Sequence, residues 1–551
     1  MQPFLTRISA FAPSPAEATT RRWIYIPYDR LHDGVGPLAD TAPADAVLVF
    51  MESQAKGTRR PYHKKKLTLV LSAMRHFALE QALRGCRIVY GESPTSFTDG
   101  LITLQQQWNW SELLCNRPAE RELRVELDAA RTQGLRITFT TDTAWLSTTA
   151  DFDTAFPPRP ITKPGQRTYL MDTFYRAMRQ KTGILMESAR GLGAKAKPVG
   201  GKYSLDAENR LPWRNELPVP VRPTFPPDDI TLEVMAMIEQ RHPDTFGAFK
   251  RADGSPDFDL PVTRADAESA WAFALTHCLP HFGPWEDAMS TQHPDLFHSL
   301  TSPLVNLTLL RPRQLVEDVA EAHAAGAVPL ASAEGFIRQL LGWREFIRHI
   351  HEATDGFRTL ESNAAPNALN AHHDLPPVYW GTPSGMACMD TVIAGVVANG
   401  WSHHITRLMV LSNLATLCGF SPRQLTDWFW FAYIDAYDWV VEPNVLGMAT
   451  FADGGLTATK PYVSGAAYIN KMSDFCGKCA LNPKLTLGPG SCPFTALYWS
   501  FLERNEPALA PLNRMAMPLA TMRKRSSADR DALRQRAELA ITQLERGERI
   551  T

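Results

Sequence analysis

No stretch of this chain approaches the roughly 18 consecutive apolar residues of a membrane-spanning helix, which argues against an integral membrane protein. Net charge is also missing. The 57 Lys+Arg are balanced by 58 Asp+Glu, so any nucleic-acid surface must be a local patch and not a global basic field. Cysteine is scarce, with eight in 551 residues, too few for a disulfide scaffold. The first residues, MQPFLTRISAFAPSPAEATTRR, lack a long apolar core followed by a small-residue cleavage site. They read as a disordered or loosely docked extension, residues 1–22, of a cytoplasmic protein. What is present is apolar mass. At 44% hydrophobic and 10% aromatic the chain can bury a large core, and its length suggests about two to four domains.

Three parts follow the extension. Residues 23–150 alternate short apolar runs with helical stretches. Ile24-Tyr25-Ile26, Ala46 to Phe50, Arg87 to Tyr90 and Ile137-Thr138-Phe139 read as buried strands, and Lys66 to Arg84 reads as a helix closed by Gly85. That alternation predicts an α/β domain with a parallel sheet. Residues 151–260 are rich in proline and read as a connector carrying one helix, Thr168 to Lys181. Its lysines Lys195, Lys197 and Lys202 read as solvated. Residues 261–551 have helical periodicity, with Ser302-Pro303 and Ser421-Pro422 as cap-plus-proline starts, which predicts an all-α domain.

Two constellations carry chemistry. Cys476, Cys479 and Cys492 form C-x2-C-x12-C in a Gly/Pro-rich stretch, and Cys388 is a candidate fourth ligand. Free thiols, a zinc site and a redox pair all remain open, and four thiolates around an iron–sulfur cluster fit the spacing at least as well. Cys86, Cys115, Cys278 and Cys418 read as packing residues. The second constellation is His403-His404 at the start of a helix running to about Cys418. Adjacent helical residues point about 100° apart, so the pair is expected to diverge, whereas His404 and Arg407 share a face. The next stretch, Trp428 to Trp439, reads as one helix dense in rings.

Trp343-Arg344-Glu345-Phe346, the His403-His404 pair, and Asp438 six residues before Asn444 resemble the flavin domain of photolyases and cryptochromes. Further stretches narrow the likeness: His63 to Lys66 with Ser72 to Phe77, Asp206 to Arg210, Phe451 to Gly455, and Tyr468 to Asp474 before the cysteines. Together they resemble the iron–sulfur bacterial cryptochromes and (6-4) photolyases, the deoxyribodipyrimidine photolyase-related group. That resemblance implies a Rossmann-like antenna domain, a connector and a helical FAD-binding domain. It implies a light-driven lyase that repairs (6-4) photoproducts in DNA by electron transfer from reduced FAD.

Residue by residue, the resemblance places His298, Ser299, Leu300, Thr301 and Ser302 at the FAD phosphates. It pairs Arg407 with Asp438 beside the isoalloxazine and sets Asn444 at its N5. Trp343, Arg344 and Tyr462 fall in the lesion pocket. His404 becomes the proton donor, its pKa suited to neutral pH, with His403 orienting it. Trp380, Trp428 and Tyr468 become electron carriers, with Phe429 where some relatives have tyrosine. Asp29 and Glu52 fall at a 6,7-dimethyl-8-ribityllumazine antenna, and Cys388, Cys476, Cys479 and Cys492 hold a [4Fe–4S] cluster. The implied partner is UV-damaged DNA, with no membrane, and the protein is expected to be a monomer. Two other readings stay open: a blue-light cryptochrome with little repair, and a zinc-stabilised nucleic-acid-binding protein without flavin.

Overall fold

The computed structural model describes residues 3–158, 167–187, 196–251, 253–359 and 366–551. Lys195 lies outside them. Five strands form one parallel sheet: β1 Arg22–Tyr25, β2 Ala46–Ser53, β3 Arg87–Ser93, β4 Leu113–Asn116 and β5 Ile137–Thr140. Their order is β3-β2-β1-β4-β5, with the turning point of the winding between β1 and β4. Both faces are covered, so β2 is apolar throughout Ala46 to Met51 and buried on both sides. β4 escaped the sequence reading because its run of four, Leu113 to Asn116, ends in a cysteine and an asparagine.

The amino-terminal extension corrects its expectation of loose docking. It forms helices Phe4–Ser9 and Pro15–Thr20. The Phe4 ring meets Tyr90 edge-on at 4.9 Å and lies 5.1 Å from the Arg75 guanidinium, and Ile8 is buried beside it. Phe4 and Ile8 join the core and Phe11 packs against it, which seats the segment. Among its described residues the proline-rich connector holds helix Met171–Thr182, as expected, and also helix Asp229–Arg241 and the end of helix Thr149–Ala155. Helix Asp229–Arg241 lies along the helix Lys64–Leu83, with Glu233 paired to Arg75 at 2.9 Å and Asp228 to His76 at 2.8 Å.

From Arg264 onward the described residues form helices and no strand. Two starts differ from expectation in an informative way. Ser421 caps its helix, accepting from the Gln424 N–H. Ser302 does not. Thr301 is the flanking residue, and Ser302 is the first helical residue, its hydroxyl free for another partner. The ring-dense stretch is not one helix. Helix Pro422–Ala432 stops, a turn spans 433–437, and a new helix begins at Asp438. Among the described residues, no helix is long and apolar enough to cross a membrane.

Candidate functional site

A cavity of about 290 Å³ opens in the helical region. Three of its walls are π-helical segments, Arg338–Arg344, Thr406–Ser412 and Glu442–Ala449. The wider turn of a π segment shifts side chains off the ordinary helical face, and such segments concentrate at functional sites. They deliver Trp343, Arg344, Arg407 and Asn444 to the cavity. His298 to Ser302 form the opposing wall. Leu300 there has φ of 57°, the left-handed region that a branched side chain rarely adopts, so surrounding contacts must hold it.

His403 and His404 both line this cavity. The expected divergence fails because His403 precedes the helix, which begins at His404. The His403 ring stacks on His298 with centroids 4.6 Å apart and planes at 17°. Burial, with like charge from neighbouring imidazoles and arginines, lowers both, His298 to about 3 and His403 well below the ordinary histidine range. His404 stands exposed at the mouth. The enclosing walls, then Arg407 and Arg338, lower its pKa to about 4, with Asp206 opposing. That direction runs against the expectation of a donor already tuned to neutral pH.

Arg407 is paired with Asp435, not with Asp438. Its two Nη atoms each donate to Asp435 at 3.0 Å, and Ser302 Oγ donates to the same carboxylate at 2.7 Å. Burial alone would raise Asp435. The charge and hydrogen bonds of Arg407, with the Ser302 hydroxyl, outweigh it and hold the carboxyl below its usual range. Asp438 faces away, accepting from the backbone N–H of Glu122 and of Trp439. The break at 433–437 decides between the two carboxylates. Two aspartates three residues apart would share one face of an unbroken helix, and nothing local marks the break.

The residues fit an anionic, planar ligand. His298 Nε2, His403 Nδ1 and Arg344 Nε are buried and without hydrogen-bond partners, and all three residues line the cavity. Buried polar atoms are rarely left unpaired, so these call for an acceptor or donor from outside the chain. Arg344 lies 4.0 Å from the Trp145 ring, and burial lowers its pKa to about 10. Asn444 donates its amide to the Val440 carbonyl at 2.8 Å, which fixes the side chain at the cavity wall.

Other expected residues lie elsewhere. Trp428 is wholly buried and meets Tyr433 at 5.8 Å and Tyr379 at 5.2 Å. Tyr433 lies 4.2 Å beneath Arg407, and Tyr379 precedes Trp380, which is 51% exposed. Tyr433, Trp428 and Tyr379 thus form a run of neighbouring rings beside Arg407, two of them tyrosines that the sequence reading missed. Phe429 stacks on Tyr433 at 5.2 Å. Tyr468 stands outside this series, donating to Asp287 at 3.4 Å. Tyr462 is partly buried and is not among the cavity-lining residues.

A second cavity, of about 330 Å³, lies between the sheet and the helical region. Glu52 lines it and is held by Arg75 Nε at 2.9 Å and the Tyr90 hydroxyl at 2.6 Å. Asp29 does not line it. Its carboxylate is buried behind, accepting from the Ala119 N–H at 3.0 Å and pairing with Arg30 at 3.4 Å. The hydroxyls of Tyr28 and Tyr437 and the indole N–H of Trp430 are buried there without partners.

Cys388, Cys476, Cys479 and Cys492 line one small enclosed space with Phe475 and Phe494. Burial raises each affected thiol, Cys492 to about 12 and Cys476 to about 11, with the neighbouring sulfurs adding to the effect. Among the described residues, no group of three or more His, Cys, Asp or Glu is arranged to hold a metal ion.

Comparison with known proteins agrees with this layout. Residues 24–253 match the family described as deoxyribodipyrimidine photo-lyase-related protein. The chain is 37% identical over 523 residues, 94% of its own length and 98% of the relative's, to a (6-4) photolyase of Agrobacterium fabrum. Its fold is similar to a bacterial class III photolyase from Agrobacterium tumefaciens, with a TM-score of 0.53 and 15% identity over 96% of this chain and 98% of that one. It is also similar to a Synechocystis cryptochrome, with a TM-score of 0.55 and 14% identity over 95% and 98%.

Proposed function

The chain belongs to the deoxyribodipyrimidine photo-lyase-related family, and from that premise we propose that it is a light-driven enzyme repairing (6-4) pyrimidine photoproducts in DNA. The observation that carries this is the helical cavity. It gathers segments 298–302, 343–344, 403–407 and Asn444, far apart in sequence, around buried nitrogens that lack partners. In this reading residues 23–150 form an antenna-type domain, 151–260 a connector and 261–551 the catalytic domain.

FAD occupies the helical cavity, and bound reduced flavin supplies the electron that light sends to the lesion. The chain's own residues do the rest. Segment 298–302 holds the diphosphate through hydroxyl and backbone donors, and Arg344 lies with Trp343 at the lesion pocket. The Arg407–Asp435 pair sits beside the flavin ring and keeps a fixed charge there. Trp343 floors the lesion pocket. His404, at the mouth, gives a proton to the oxygen moved between the two pyrimidines. Its pKa is pushed down within the protein, and the negative charge of the DNA backbone favours its protonated form when substrate binds. Trp380 and Trp428, with Tyr379 between them and Tyr433 on the cavity side, would carry electrons from solvent toward a bound flavin.

The four cysteines hold a [4Fe–4S] cluster that ties the Gly/Pro-rich loop to the helical region. The second cavity holds a ribityllumazine antenna through Tyr28, Tyr437, Trp430 and Glu52. Cys476→Ser tests the cluster: iron and soluble protein should be lost together, and full iron content would remove that assignment.

His404→Ala tests the function. General acid catalysis contributes about 10²–10⁴-fold, so repair of a (6-4)-containing oligonucleotide under blue light should fall by that order while FAD stays bound. Repair at the wild-type rate would overturn the proton-donor role. A wild-type protein that reduces its flavin in light and repairs nothing would point to a photoreceptor instead.

A further inference from the structure

Lys66 lies in the long helix Lys64–Leu83 of the α/β region, and its side chain is buried. Nζ donates to the Trp430 carbonyl at 2.7 Å and to the Ala436 carbonyl. The rings of Tyr62 and Tyr437 flank it at 5.0 and 5.2 Å. Its neighbour Lys65, by contrast, has an ordinary acidic partner, Asp257 at 2.9 Å. A buried amine held by backbone carbonyls is costly unless those contacts are well formed, so what they hold deserves a reason.

One carbonyl lies in the last turn of helix Pro422–Ala432 and the other inside the turn 433–437 that separates it from helix Asp438–Val441. That turn, Tyr-Ile-Asp-Ala-Tyr, has no glycine or proline to stop a helix. It carries Asp435, whose carboxylate takes the Arg407 and Ser302 hydrogen bonds and whose carbonyl accepts from Asn306 Nδ2 at 2.9 Å. Those partners hold Asp435 from the cavity side. Lys66 holds the same turn from the opposite side, across the boundary with the α/β region.

We propose that Lys66 is a positioning residue for the flavin pocket, fixing the turn 433–437 and, through Asp435, the placement of Arg407. The proposal rests on the reading that the helical cavity holds FAD. Its first measurement, however, needs no flavin. In flavin-free Lys66→Met, backbone amides of residues 433–437 should exchange with solvent at least about tenfold faster than in wild type. The FAD dissociation constant should rise by about tenfold or more, as expected for losing two buried hydrogen bonds that position the pocket. The visible circular dichroism of bound flavin should change as Arg407 shifts. Lys65→Met removes an amine one residue away and should alter none of these.

Unchanged exchange and FAD affinity in folded Lys66→Met would overturn the proposal, as would an equal loss in Lys65→Met. Should Lys66→Met fail to fold, Lys66→Gln replaces it. The shorter amide cannot span both carbonyls, so the turn should still loosen, and a tight turn with wild-type affinity would overturn the proposal. A wild-type protein that binds no FAD would instead sink the flavin reading, leaving the amide exchange to judge Lys66.

Discussion

The two cavities are built on opposite electrostatic plans. In the one beside the sheet, charges are settled within the protein: Glu52 with Arg75, and Glu120 with Lys56 at 2.9 Å. What remains unpartnered there is two phenol hydroxyls, an indole N–H and the Nδ1 of His242, with no guanidinium among them. In the helical cavity the unpartnered atoms belong to two imidazoles and a guanidinium, and the cavity's carboxylate, Asp435, is already bound by Arg407. The first suits a neutral polar heterocycle, the second a ligand with negative charge. The difference gives the two cavities distinct preferences that do not rest on size alone.

Arg407→Met would strike hardest at this contrast. It strands the buried Asp435 carboxylate, a change worth about 3–5 kcal/mol. The helical cavity should lose FAD and the melting temperature should fall, while ribityllumazine binding in the other cavity persists. Absorption spectra of the purified variant separate the two, and joint loss of both ligands would show that the sites are not independent.

Acid should come next. Burial takes His298 from 6.5 to about 3 and His403 well below 6.5. The unfolded chain binds these protons first, so this contribution to stability is full above pH 6.5 and is lost as pH falls toward 3. Melting temperature between pH 7 and 4.5 should therefore drop, and less steeply in His298→Asn. An unaltered slope in that variant would mean that the imidazole titrates as freely folded as unfolded.

Glu52→Gln should weaken ribityllumazine binding with little effect on FAD, because Arg75 keeps Glu233 and Glu92 as partners. Equilibrium titration of each ligand reads it. Tyr28→Phe, which removes one hydroxyl, should cost the same ligand only about two- to tenfold in affinity. Reduced FAD affinity in either variant would break the proposed separation.

Much of this was legible from local chemistry. Apolar runs bounded by turn residues mark β1, β2, β3 and β5, since a strand covered on both faces must be apolar throughout. The closely spaced cysteines and the segment 298–302 announce themselves by residue type. The sequence pattern also places Arg407 and His404 on one helical face, because three residues apart on a helix is a fixed geometry.

Tertiary structure decided what depends on partners distant in sequence. Whether Asp435 or Asp438 answers Arg407 is settled by a turn whose own five residues do not demand it, held by Lys66 from one side and by Ser302 and Asn306 from the other. Whether His403 joins His404 in one cavity depends on where a helix begins. Whether the amino-terminal extension docks depends on a place for Phe4 between Tyr90 and Arg75. The sequence alone determined the kinds of group available and their local periodicity, because these follow from covalent chemistry and helix or strand geometry. Which groups meet, and with what charge, only the packed structure decided, because burial and a neighbour's field are properties of the assembled molecule.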